Sequence, residues 1–198
     1  MNRTLLLLIA VAVLGAGAYF FLNTDQEAAS TTVAGWDRDF AVPRDQVHKV
    51  FIVQRSGVTS TLTRKGEQWF FNEKYPARPD AIENLLSAIE SIRMKFKPTE
   101  AAIPHIVESL AARGIKVEIY GKEDELLKTY YVGGATNTEE GTYVIREGAE
   151  QPYVAELGAW VGNLRFRYNL VGDEWRDRTV FASRVEDIAG VSIESPKQ

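Results

Sequence analysis

Cysteine is absent from all 198 residues, and histidine occurs only twice. The first absence removes disulfide staples, thiolate metal centres and the cysteine that a lipoprotein anchor requires. The second leaves His48 and His105 far apart, neither with a second histidine nearby, so the spacing gives a zinc site little support. Basic charge is not in excess either. Lys and Arg number 23 against 27 Asp and Glu, for a net charge of −4, and no basic stripe with interleaved aromatics offsets this; nucleic acid is therefore not an expected partner.

Catalytic patterns are missing as well. There is no Gly-x-Ser-x-Gly elbow, and Gly133-Gly134 lacks the lysine of a phosphate loop. The acidic runs Glu123-Asp124-Glu125 and Glu139-Glu140 do not alternate oxygen ligands around a glycine, as a calcium loop would. The chain is read as non-enzymatic, with no metal or cofactor site.

What the sequence does have is one long apolar run. Thr4 to Leu22 carries no charge, and at helical rise it reaches roughly 29 Å, close to the hydrocarbon thickness of a bilayer. Ala16-Gly17-Ala18 could serve as a signal-peptide exit, but Tyr19, Phe20, Phe21 and Leu22 continue the run beyond it. A retained transmembrane helix over 4–22 is predicted, with its aromatics at the outer interface. Arg3 precedes the span, while Asp25 and Glu27 follow it, which sets the amino terminus inside and the rest outside. The expected location is the inner (cytoplasmic) membrane, single-pass, with an extracytoplasmic, periplasmic domain.

The chain accordingly divides into an anchor (1–22), a tether and lead-in (23–45) and a domain (46–198). The small polar stretch Asn23 to Gly35 reads as flexible. Val47 to Val53, Val58 to Thr63 and Gln68 to Phe71 read as an antiparallel meander with tight turns at Ser56-Gly57 and Lys65-Gly66. Pro79 opens a helix whose stripe is Ile82, Leu85, Leu86, Ile89 and Ile92. A second helix starts at Pro104 with Ile106, Val107, Leu110 and Ala111 on one face, and Gly114 is expected in a left-handed cap. Ile115 to Ile119 alternates as a half-buried strand. Leu126 to Val132, Thr142 to Arg146 and Pro152 to Ala155 follow as strands, with Gly133-Gly134 expected as a bulge or turn of positive φ. Trp160 to Leu164 reads as a short helix and Ile188 to Ile193 as a closing strand. The pattern predicts an α+β fold, a mostly antiparallel sheet with helices on one face.

An ungapped alignment of Phe40 with Phe181 also pairs Ala41 with Ala182, Val47 with Ile188, Val50 with Val191 and Ile52 with Ile193. Residues 175–198 are on this basis a candidate start of a second, truncated repeat.

The order of motifs resembles a known family. GEQWFFNEKYPARPDAIENLL (66–86), GIKVEIYG (114–121), YYVGG (130–134), GTYVI (141–145), QPYVAEL (151–157) and WRDRTVF (175–181) occur in succession. They are similar to the bacterial envelope family called domain of unknown function 4340, over about Val47 to the end. The resemblance implies anchoring by one amino-terminal helix, association with ABC-type export systems related to gliding machinery, and longer members with more than one unit. It implies no catalytic residue.

Candidate interaction residues are Trp175 and Arg176, in a mixed-charge segment, and Arg165 and Arg167. Core packing of Trp175 with its arginines paired to carboxylates is the competing assignment. The expected function is a membrane-tethered accessory or interaction subunit of an envelope assembly, such as an ABC-type exporter. The alternatives are a glycan- or peptide-binding module using Trp69, Trp160, Tyr130 or Tyr131, and an enzyme whose site is assembled from distant residues.

Overall fold

A computed structural model describes residues 35–158, 162–179 and 185–192. Nine strands form one sheet: β1 (Lys49–Val53), β2 (Thr59–Lys65), β3 (Gln68–Phe71), β4 (Tyr75–Pro76), β5 (Ile92–Phe96), β6 (Ile115–Tyr120), β7 (Leu126–Ala135), β8 (Thr142–Arg146) and β9 (Tyr153–Leu157). Their spatial order is β4-β3-β2-β1-β6-β7-β8-β9-β5, and every neighbouring pair is antiparallel. The predicted α+β class and meander are what the sheet shows. Helix α1 (Pro79–Ser91) connects β4 at one edge to β5 at the other, and α2 (Ile103–Arg113) leads back to β6 in the middle.

Strict alternation in the central strands selects the face on which the main core lies. Ile115, Val117 and Ile119 of β6 are fully buried and meet Val50 and Ile52 of β1, whereas Lys116 and Glu118 point the other way. On the inner face α1 lays down Ile82, Leu85, Leu86 and Ile89, each such side chain contributing about 1.5–3 kcal/mol when fully buried.

The lead-in belongs to this core, which corrects the placement of residues 36–45 outside the domain. Phe40 and Val42 are 1% and 2% exposed, and the Val42 N–H donates to the Ile89 carbonyl at 3.1 Å. Arg146 donates to the Trp36 and Asp39 carbonyls, and Lys128 donates to that of Ala41. A ring edge of Phe40 meets Tyr130 at 6.2 Å. Burial of two apolar side chains outweighs the polar composition around them. The anchor 1–22 and the rest of the tether lie outside the described residues; among the described residues no helix is long and apolar enough to cross a membrane.

Helices on one face were expected, but α2 lies on the other one. A Cβ at Gly133 would approach the Leu110 side chain of α2 to 2.8 Å, and Gly133 follows Val132, which points into the main core. Ile106 and Leu110 are therefore buried against this outer face, over β7 and β8. Two helices cannot share the inner face, because the lead-in and the carboxy-terminal segment already flank α1 there.

Local corrections have equally local causes. Ile92 continues the stripe of α1, yet it begins β5 and pairs with Leu157; the alternation of Ile92 and Met94 with Arg93 and Lys95 carries the strand signal. Gly114 has φ −62° and ψ 147°, extended and not left-handed, and glycine is needed because a Cβ would lie 2.4 Å from the Leu110 carbonyl oxygen. Gly133 and Gly134 lie within β7, where the register shifts before Ala135 as a bulge, without positive φ. Residues 188–192 form no strand, and Ile188 and Val191 are exposed where their counterparts Val47 and Val50 are buried. The remainder of that echo, from Phe181 to Ala182 and at Ile193, lies outside the described residues, as do 159–161 of the short helix expected at Trp160 to Leu164; a 3-10 turn covers Leu164–Arg167.

Candidate recognition groove

α2 covers the outer face incompletely. Its apolar stripe is wider than the strip that is buried: Ile106 and Leu110 are covered, while Val107 and Ala111 stay exposed. Between this uncovered flank and the outward side chains of β1, β7 and β8 runs a groove of about 570 Å³. Val53 and Ile145 supply its sheet side, Val107, Leu110 and Ala111 its helix side, and Tyr131 an aromatic wall. That volume falls in the ordinary range of ligand sites, about 300–1,000 Å³.

Two cations line the groove in different states. The Lys116 ammonium is 2.9 Å from Glu118 and 3.1 Å from Glu147. These hydrogen bonds, Glu118 first, raise its pKa above the ordinary lysine value. Tyr131 donates to Glu147 at 3.2 Å, and its own pKa is raised, chiefly by burial. Arg55, in the β1–β2 turn, is exposed and makes no hydrogen bond or ion pair with any described residue. The turn holds it there through Gly57, at φ +81°, a conformation that side chains rarely adopt.

Beyond the groove the outer face carries a charged ladder. Tyr120 donates to Glu118 at 2.6 Å, a bond that together with burial pushes its phenol up to about 12. Lys49 sits 4.3 Å over the Tyr120 ring and 2.5 Å from Asp124. Glu118 would be raised by burial, but the bonds from Tyr120 and Lys116 outweigh this and its pKa is lowered. Every carboxylate in the ladder thus has a neutralising partner. Among the described residues no group of three or more His, Asp or Glu could hold a metal ion.

The residues singled out in the sequence are dispersed. Trp175 is fully buried and donates its indole N–H to the Leu170 carbonyl at 2.9 Å, so its ring fills the core. Arg176 pairs with Asp173 at 3.1 Å and lies 3.9 Å over the Tyr75 ring. Arg165 donates to the carbonyls of Val132, Gly133 and Arg113, tying the carboxy-terminal segment to β7 and the end of α2. Arg167 donates to Asn84 of α1. Tyr130 is buried against Tyr168, with their hydroxyls 3.1 Å apart, and Trp69 packs on the core. Trp160 lies outside the described residues. Of the aromatic candidates among the described residues, Tyr131 is the one that lines the groove. Arg55 gave no signal in the sequence; the surplus width of the α2 stripe, Val107 and Ala111, did.

A family model described as "Domain of unknown function (DUF4340)" matches residues 69–198. The chain belongs to this family. Neither the curated proteins nor the solved structures contain a match to it. The DUF4340 match begins inside β3, so β1 and β2, with Val53 and Arg55, precede the matched part. The helix side of the groove and the strands β6 to β8 fall within it.

Proposed function

We propose that this DUF4340 chain is a non-enzymatic binding subunit held at the outer side of the cytoplasmic membrane. Residues 4–22 are its anchor, 23–34 its tether, and the groove beside α2 its recognition surface. An accessory role in an envelope assembly, such as an ABC-type export system, fits an anchored domain of this kind. The observation that carries the reading is the groove itself: an apolar concavity whose only unpaired charge among the described residues is Arg55. Such a surface suits recognition, since Lys116, Glu118 and Glu147 neutralise one another and leave no free acid–base pair beside it.

The test is purification of the full chain from native membranes in mild detergent. Envelope or transport proteins should co-purify in fixed stoichiometry, and the domain should be protease-accessible in cells opened only at the outer envelope. A trimmed, freely diffusing domain, or a lone monomer, would refute the assignment.

A further inference from the structure

We infer that the groove beside α2 takes a single aliphatic chain ending in one anionic head group, of the kind a free fatty acid presents. Gly57 and Gly114 bring backbone to the lining, and the other nine residues bring side chains. β1 is hydrogen-bonded on both sides, to β2 and β6, and the Gln54 and Gly57 N–H groups of the turn are spent on the Val58 and Gln54 carbonyls. At the end of α2 the Leu110 carbonyl accepts from the Gly114 N–H and the Arg113 carbonyl from Arg165. An extended peptide laid here would leave its own N–H and C=O groups without partners, at a cost a hydrocarbon chain does not incur. A sugar would strand its hydroxyls against Val53, Leu110 and Ile145 for the same reason.

Charge selects the head group. Arg55 is the unpaired cation of the lining, and a guanidinium binds carboxylate in a forked, charge-assisted geometry. The other cation, Lys116, already faces two carboxylates, so that end of the groove repels a second negative group. One cavity of about 570 Å³ with one free cation matches one chain with one charge. The inference rests on the groove being the recognition surface, not on the anchor or on an envelope partner.

The test uses the full chain in lipid nanodiscs and two photoactivatable probes, a diazirine-bearing dodecanoate and the matching dodecanol. Peptide mapping should place the dodecanoate adducts on the β1–β2 turn and on α2 around Val107 to Gly114. Ala111→Trp fills the groove from an exposed position and should abolish labelling by both probes. Arg55→Glu should lower dodecanoate labelling about tenfold, the size of one charge-assisted hydrogen bond, and leave dodecanol unchanged. Absent or scattered labelling, persistence in Ala111→Trp, or equal effects of Arg55→Glu on both probes would overturn it. Co-purification of envelope proteins is read separately, so either result can fail without the other.

Discussion

A methyl group at Gly114 would meet the Leu110 carbonyl oxygen at 2.4 Å, and backbone at a helix end does not yield as a side chain does. Gly114→Ala is therefore expected to cost about 1–3 kcal/mol in urea unfolding, in the range of overpacked sites. Gly133→Ala first meets the flexible end of Leu110 and should cost less; the reverse order would mean that the Leu110 side chain yields less than the backbone at the helix end. The tyrosines set an alkaline limit. Tyr120, through its bond to Glu118, and Tyr153, through burial and its bond to Asp37, are both raised to about 12. Unfolded tyrosine titrates near 10, so the folded state holds these protons longer. Their contribution is complete below about pH 10 and lost as pH rises toward the folded values. Thermal melts should fall over that interval, and Tyr120→Phe should flatten the decline. The lowered pKa of Glu118 acts at the other limb: its contribution is present above the ordinary carboxylate value and lost as pH falls below it.

At the scale of elements, the carboxy-terminal segment works as a strap. Leu164, Tyr168 and Trp175 are fully buried beside α1, the Arg78 N–H donates to the Trp175 carbonyl, and Ala77 bridges Arg176 next to β4. Trp175→Ala should cost about 3–5 kcal/mol by chemical denaturation, as for large core aromatics. Arg165 closes the strap over the strand ends by serving carbonyls of both β7 and α2. Arg165→Ala leaves those carbonyls unpaired and should lose about 1–3 kcal/mol, with faster amide exchange at the end of α2. Unchanged exchange there would show that the clamp is not used. β5 is guarded as an edge by its bulge and by Arg93 and Lys95, both paired to Glu156.

For the molecule as a whole, the family match and the folding unit do not coincide. β1 and β2 precede residue 69 but stand between β3 and β6 in the sheet. Residues 69–198 alone would leave a two-strand gap through the main core, so they should show no cooperative unfolding transition by circular dichroism. Residues 35–179 hold the nine strands, both helices and the strap, and should keep one. A cooperative melt from the shorter piece would mean that β3 and β6 can close on each other.

Local periodicity was enough for most elements. β3, β8 and the start of α1 lie where Gln68 to Phe71, Thr142 to Arg146 and Pro79 put them, because alternation and the 3.6-residue stripe reflect contacts with whichever surface is nearby. The motif order was likewise enough to name the family. Periodicity could not say which surface that is. It could not place α2 on the outer face, draw Phe40 and Val42 into the core, or turn Arg165 from a candidate contact into a clamp. Nor could it set Arg55 and Ala111 beside one groove, since they are far apart in the chain and meet only because β1 pairs with β6. The chain by itself determined most of its strands and both helices, through short-range side-chain pattern. Tertiary structure decided the faces, the strap and the groove, because those depend on which distant surfaces compete to exclude the same water.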